Sequence, residues 1–278
     1  MKKLLFWVSA VLMLAFWPVS FILANQDSWI PFFVALTLLL IDWLLYLKKF
    51  KYHYFLYLLF PLIHPAFLFF PVISLIFIVI STEGKHEWRN LTLAIFTSLL
   101  IFVSLFSYKN FLAYSIFTPD PLAQDNLSKK ISLIPNRNLA RIYVNKTTIF
   151  QDKYKANFFK SFDLNNYYFA SHPQESGDGQ NLIKFPYLAL IVFLIGLYYL
   201  PENKRKYWLV SIFITATTSI AFINNQDKFD LVLLLPVFLI SFYGLKKLLE
   251  TFGIYFWIFS AIFIPVSIIE LMRIVIIK

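Results

Sequence analysis

LLFWVSAVLMLAFWPVSFILA, residues 4–24, contains no charged residue and directly follows Lys2 and Lys3. A helix needs about 20 apolar residues to cross the hydrocarbon core of a bilayer, so this stretch predicts a first transmembrane helix. A cleaved signal peptide also begins with basic residues and an apolar segment. This segment is longer than that of a typical signal peptide, and no small-x-small cleavage site follows it. We therefore expect the helix to be retained.

Apolar runs separated by short charged breaks continue along the whole chain. Of its 278 residues, 59% are hydrophobic, whereas soluble domains are about 45–50% apolar. The pattern predicts an all-α, polytopic integral membrane bundle with about eight membrane segments. The predicted segments are residues 4–24, 29–47, 54–80, 91–106, 183–200, 208–223, 229–245 and 254–277.

The net charge of +10 fits two kinds of partner, nucleic acid and anionic lipid. In a membrane chain, basic cytoplasmic loops and contact with lipid headgroups account for it. We therefore predict membrane lipid and no nucleic acid as partner. The chain has no cysteine, which excludes disulfides and thiolate metal sites. The sequence shows no metal-ligand cluster and no glycine-rich phosphate loop, so no cofactor is predicted.

Basic breaks predict the orientation of the chain in a bacterial plasma (inner) membrane, because cytoplasmic loops are rich in lysine and arginine. The breaks at residues 48–51, 204–206 and 246–247 are basic and are assigned to the cytoplasm with the N-terminus. This orientation requires the proline-rich run at residues 54–80 to enter the membrane and return as a broken hairpin. Residues 108–182 and the C-terminus then lie outside.

The long polar stretch at residues 108–182 divides the chain into three parts. Residues 1–107 are predicted to hold the N-terminal transmembrane helices, and residues 183–278 the C-terminal ones. The external segment between them includes aromatic residues at helical spacing beside lysines, which is typical of a helix in the headgroup layer. These aromatic residues are Tyr154, Phe158, Phe159 and Phe162.

Charged residues outside the predicted spans are candidates for a site. Arg137 and Arg141 share one face of a helix, and with Lys146 they suit a phosphate; attraction to lipid headgroups is the alternative. Asp227 and Asp230, with Lys228 between them, flank the start of an apolar helix. They either bind a cation, or a phosphate through Lys228, or cap the helix.

Two ionisable residues lie inside apolar runs, where they are costly in lipid and mark candidate functional groups. Asp42 either serves such a function or reaches interfacial water or Lys48. His64 lies between two prolines, where a satisfied polar group is the simpler interpretation. As midplane groups, Asp42 and His64 would suit a small transporter, although the sequence shows no repeat in its two halves.

Three stretches carry a family resemblance: RIYVNK at residues 141–146, NFFKSFDLNNYYF at residues 157–169 and DKFDLVLLLP at residues 227–236. With the broken helices before residue 85, they resemble the C-terminal half of GT-C-type membrane glycosyltransferases, especially protein O-mannosyltransferases and aminoarabinose transferases. The resemblance covers residues 50–250. It implies transfer of a sugar from a polyprenyl-phosphate carrier to an external acceptor of the cell envelope.

The resemblance also implies roles for the candidate residues. Arg137, Arg141 and Lys146 would hold the carrier phosphate, and Asp27 is the candidate catalytic base. The large first external loop, which carries the catalytic carboxylates of the family, has no counterpart here. A divergent or degenerate enzyme, and a non-catalytic membrane subunit or scaffold with a protein partner, are therefore the alternatives. A divalent cation is a further alternative at Asp227.

Overall fold

In the computed structural model, most of the residues that the structure describes lie in helices or turns. The structure describes residues 1–24, 29–48, 53–71, 97, 110–118, 125, 128–129, 131–133, 135, 146–169, 184–203, 206–224 and 229–276. Within these ranges the one extended pairing is an isolated bridge between Ser115 and Ile223. The predicted all-α class holds for these parts of the chain.

The α-helices are numbered here in chain order. They are α1 (Lys2–Ala24), α2 (Ile30–Leu47), α3 (Phe60–Ile63), α4 (Lys146–Lys160), α5 (Leu164–Tyr168), α6 (Ala189–Tyr199), α7 (Lys206–Ala221), α8 (Leu234–Thr251) and α9 (Gly253–Ile276). Short 3₁₀ segments occur at His53–Leu59, Pro65–Phe67, Leu200–Glu202 and Asp230–Leu233.

Among the described residues, four helical stretches are long and apolar enough to cross a membrane, which indicates a membrane protein. They are Lys2–Leu23, Ile30–Leu47, Asp230–Thr251 and Gly253–Ile276. Each coincides within a few residues with a run predicted from the sequence. Helix α6 begins at Ala189 and is therefore shorter than its predicted run at residues 183–200. The predicted run at residues 91–106 lies outside the described residues, Thr97 excepted.

The run at residues 54–80 is interrupted before Pro65. Helix α3 ends at Ile63, and His64 adopts an extended backbone with φ −152° and ψ 135°. A residue before proline is excluded from the α region by the proline ring, which accounts for this conformation. The return of the predicted hairpin lies outside the described residues.

The first of two compact units is centred on α8. It consists of Met1–Leu44, Asp163–Ile214 and Asp230–Lys278. Helix α8 packs against α1, α6 and α9. At the α6–α8 contact, a Cβ on Gly244 would meet the backbone oxygen of Val192, and one on Gly196 would meet that of Ile240. Glycine at these positions therefore lets the two helix backbones approach closely.

Hydrogen bonds from asparagine side chains to backbone oxygens hold the second compact unit together near the end of α7. It consists of Leu45–Phe162 and Thr215–Phe229. The Asn157 side chain in α4 donates to the backbone oxygens of Ala221 and Ile223, at 3.2 and 2.9 Å. The Asn224 side chain donates to the Ser115 oxygen at 2.7 Å. These bonds fasten α4 and residues 110–118 to the end of α7.

Candidate functional site

The sequence-predicted site residues lie outside the part of the chain whose side chains are described. Lys146 is the first residue of α4, and only its backbone is described. The other five lie in undescribed stretches, so their grouping stays a prediction. They are Asp27, Arg137, Arg141, Asp227 and Lys228.

A buried cluster of three polar side chains forms the strongest described candidate site. Lys184 Nζ donates to Asp230 Oδ2 at 2.6 Å and to Asn166 Oδ1 at 3.0 Å. Asn166 Nδ2 also donates to Asp230 Oδ2, at 3.5 Å. Lys184 is 2% exposed and Asp230 is 0% exposed, so this ion pair is removed from solvent. We name Lys184, Asp230 and Asn166 the buried cluster.

Aromatic rings enclose the lysine of the buried cluster. Lys184 Nζ lies 5.1 Å from the ring centroid of Trp17 and 5.1 Å from that of Tyr167. Phe185 packs edge-on against Trp17, with centroids 5.6 Å apart. A cation over an aromatic face is attracted by the ring quadrupole, and more strongly when desolvated. The rings therefore stabilise the ammonium beyond its pairing with Asp230.

Local backbone structure positions each member of the cluster. Asp163 caps α5 by accepting the Asn165 N–H at 2.9 Å, and this short helix places Asn166 and Tyr167 in the interior. The Phe185 N–H then donates to the Tyr167 oxygen at 3.0 Å, which holds Lys184 beside α5. Asp230 is the first residue of the 3₁₀ segment that leads into α8.

Two polar atoms at the buried cluster keep hydrogen-bonding capacity. Asp230 Oδ1 and Trp17 Nε1 are buried and have no hydrogen-bond partner within the described ranges. An unsatisfied buried donor or acceptor costs about 1–3 kcal/mol. The free carboxylate oxygen is therefore an acceptor for a water or hydroxyl group. The charge of Lys184 is already balanced by Asp230, so the lysine does not form an anion site.

The hydroxyl of Tyr167 stays protonated beside this carboxylate. Burial raises the pKa of Tyr167 well above its usual value of 10.0, and the negative charges of Asp230 and ionised Tyr168 raise it further. At neutral pH this hydroxyl is therefore a hydrogen-bond donor and carries no charge. The buried cluster then has a net charge of zero, since one ammonium faces one carboxylate.

Sequence reasoning missed the buried cluster as a unit. The sequence predicts no role for Lys184 at the start of an apolar run, and for Asp230 it predicts only helix capping or cation binding next to Asp227. Asn166 appeared only within the resemblance at residues 157–169. A lone lysine at the edge of an apolar run was the available signal, because such a charge requires a partner.

The two intramembrane candidates have different surroundings. Asp42 Oδ2 accepts a hydrogen bond from Trp208 Nε1 at 2.8 Å, and Asp42 is fully buried. The alternative that Asp42 reaches interfacial water is therefore wrong in this structure. His64 Nδ1 accepts the Ala66 N–H at 3.2 Å and caps the Pro65–Phe67 segment, as expected for a satisfied polar group.

Comparison with protein-family models, with curated proteins and with solved structures finds no match for this chain. The chain is therefore assigned to no family. A function has to be argued from its residues and from the contacts that they make.

Proposed function

We propose that this chain is a multi-pass membrane transferase that moves a sugar from a polyprenyl-phosphate carrier to an external acceptor. The proposal rests on the resemblance to GT-C-type glycosyltransferases carried by three stretches of sequence. One observation supports it: two of these stretches meet at buried polar side chains, although the two residues in contact, Asn166 and Asp230, are 64 residues apart in the sequence.

The contact between these stretches is specific. Asn166, in residues 157–169, donates to Asp230, in residues 227–236, and Lys184 binds both side chains. In the second unit, Asn157 from the first stretch is bonded to the backbone of Ile223. Ile223 and Asp230, which make these bonds, lie on either side of residues 227–228 in the sequence, and we propose that Asp227 and Lys228 bind the ligand.

In this proposal the reaction joins an acceptor hydroxyl to the sugar. Asp27 takes the hydroxyl proton, the oxygen forms a bond to the anomeric carbon, and the bond between that carbon and the phosphate oxygen breaks. The polyprenyl phosphate leaves with the electron pair. Arg137, Arg141 and Lys146 hold the phosphate as charge-assisted donors, assisted by Lys228.

The proposed site lies on the outer side of the bacterial plasma membrane. The basic breaks and the N-terminus are cytoplasmic, whereas residues 108–182 and the C-terminus are external. Helix α4 then lies in the headgroup layer, and the exposed side chain of Phe159 points to such a surface. This arrangement brings the carrier phosphate and an envelope acceptor to the same face.

Turnover by the purified chain in lipid nanodiscs tests the proposal. Release of polyprenyl phosphate from a polyprenyl-phosphate sugar would be followed by mass spectrometry, with the chain alone and with the products of neighbouring genes. We expect Arg141→Ala to slow release at least about tenfold, since a hydrogen bond to a charged group contributes about 1.5–3 kcal/mol. Asp27→Asn should abolish release, and the exposed-lysine control Lys246→Ala should not change it.

A non-catalytic membrane subunit is the second candidate, and one observation favours it. Lys184 and Asp230 are paired with each other and almost completely buried, which suits a structural role. In that case the cluster is a structural clamp, and the chain supports a partner enzyme of envelope assembly. Turnover that appears only with a partner, and is unchanged in Asp27→Asn and Arg141→Ala, would establish this candidate instead.

A further inference from the structure

A groove of about 420 Å³ opens beside the junction between α6 and α7. The end of α6, the Leu200–Glu202 segment and the first turns of α7 form its walls. All of these residues belong to the first unit. The lining residues are Leu197, Leu200, Pro201, Lys206, Tyr207 and Val210.

The walls of the groove are apolar and outward-facing. Leu197 is 40% exposed, Val210 is 42% exposed and Tyr207 is 64% exposed. Exposed apolar side chains on a membrane protein are covered by acyl chains, whereas in water a patch of this kind marks a binding surface. The volume falls in the range of about 300–1,000 Å³ that is usual for a ligand site.

The apolar lining of the groove contains one basic side chain, that of Lys206. Lys206 Nζ donates to the Pro201 oxygen at 3.0 Å and lies 5.4 Å from the Tyr207 ring centroid. An ammonium has three donors, so further donors remain for a phosphate. The preceding residues, Lys204 and Arg205, are also basic. The nearby carboxylate of Glu202 is paired with Lys247 at 2.9 Å, which limits its repulsion of an anion.

We propose that this groove binds an anionic phospholipid, with an acyl chain along the apolar walls and the phosphate at Lys206. Basic pockets between membrane helices bind anionic headgroups in this way. A free phosphate ion would satisfy Lys206 but leave the walls uncovered, so the lipid is the better occupant. The inference does not depend on the proposed transferase activity, since none of the groove residues is assigned to the sugar-transfer site.

Retention of lipid by the full chain tests this proposal. The protein would be purified from membranes, equilibrated with equal parts of phosphatidylglycerol and phosphatidylcholine, and examined by native mass spectrometry. Lys206→Gln removes the charge but keeps a donor for the Pro201 oxygen, and Val210→Trp fills the groove but keeps the charge. The control is Lys246→Ala, because Lys246 is a 53% exposed lysine that is paired with Glu250.

We expect Lys206→Gln to lower the retained ratio of phosphatidylglycerol to phosphatidylcholine about fivefold, the effect of one basic residue near a lipid headgroup. Val210→Trp should lower total retained lipid, and Lys246→Ala should match the unmodified chain. Equal retention by Lys206→Gln and the unmodified chain would overturn the headgroup assignment. Unchanged retention by Val210→Trp, or displacement of the lipid by soluble glycerol phosphate, would overturn the groove as a lipid site.

Discussion

Lys184 and Asp230 form an ion pair at 2.6 Å in which both side chains are withdrawn from solvent. Asn166 binds the lysine, and the rings of Trp17 and Tyr167 face its ammonium. Replacing a buried pair as a whole is often tolerated, whereas removing one partner leaves an uncompensated charge. Comparing variants that lack one partner with a variant that lacks both charges therefore measures what the pair contributes to the stability of the protein.

Lys184→Met should destabilise the protein by about 3–5 kcal/mol, because it leaves the Asp230 carboxylate buried without its cation. Adding Asp230→Asn should restore part of the loss by removing the uncompensated charge. Unfolding in detergent micelles, followed by tryptophan fluorescence, measures both changes. A double variant as unstable as Lys184→Met would contradict the prediction. Lys247→Met breaks the partly exposed pair with Glu202 and should destabilise the protein much less than Lys184→Met, because a solvent-exposed ion pair contributes little.

Asn157→Ala should loosen α4 from the end of α7. The variant loses two hydrogen bonds to backbone oxygens, each contributing about 0.5–1.5 kcal/mol. Hydrogen exchange should therefore become faster in α4 and at residues 221–224, while exchange in α8 stays unchanged. Asn165→Ala is the control, because Asn165 is an exposed asparagine nearby. Equal exchange in both variants would show that the Asn157 bonds do not hold the helix.

Gly244→Ala should destabilise the α6–α8 contact, because the added Cβ meets the backbone oxygen of Val192. Overpacking of this kind costs about 1–3 kcal/mol. The same substitution at Gly253 is the matched control, since its Cβ would find its nearest described neighbour, Lys2 Nζ, at 3.7 Å. Thermal unfolding of the two variants in one detergent compares them. A Gly244→Ala protein as stable as Gly253→Ala would rule out the close approach of these helices.

Because the pKa of Tyr167 is raised in the folded protein, we expect the protein to lose stability at alkaline pH. Above pH 10.0 the unfolded chain releases the hydroxyl proton of Tyr167 and the folded chain keeps it. The stabilisation that Tyr167 contributes is therefore complete below pH 10.0 and decreases as the pH rises above this value. Tyr167→Phe should flatten the alkaline limb of a stability curve. Tyr198→Phe, at a 77% exposed tyrosine, should leave that limb unchanged.

Cysteine labelling tests the orientation of the chain, because the sequence has no native cysteine. A single cysteine at Ser176 should react with an impermeant reagent on intact cells if residues 108–182 lie outside. A cysteine at Lys48, in a basic break assigned to the cytoplasm, should react only after the membrane is opened. The reverse pattern would invert the proposed orientation.

Sequence reasoning located the long helices because hydrophobic length alone decides them. The apolar runs that became α1, α2, α8 and α9 needed no knowledge of tertiary contacts. The break at His64 was also predictable, since Pro65 acts on its immediate neighbour. Local chemistry was sufficient in each of these cases.

The buried cluster was not predictable in the same way. Lys184, Asp230 and Asn166 come from separate segments, and only packing of those segments brings their side chains together. Asp42 gives a second example: its partner Trp208 is 166 residues away, so an interfacial position was an equally good interpretation. Distant pairing of polar groups within apolar runs leaves no periodic signal in a single sequence.

The distance between Lys184 and Asp230 along the chain also constrains biogenesis. The ribosome synthesises the lysine 46 residues before its carboxylate partner. Until the later segment emerges, the ammonium lacks its counter-ion, and only Asn166, Trp17 and Tyr167 of its partners have been synthesised. Helix α6 packs against α8, so its final docking has to follow the synthesis of α8. A chain that stops before Asp230 would expose an unpaired cation at this point and give quality-control proteases a means to recognise it.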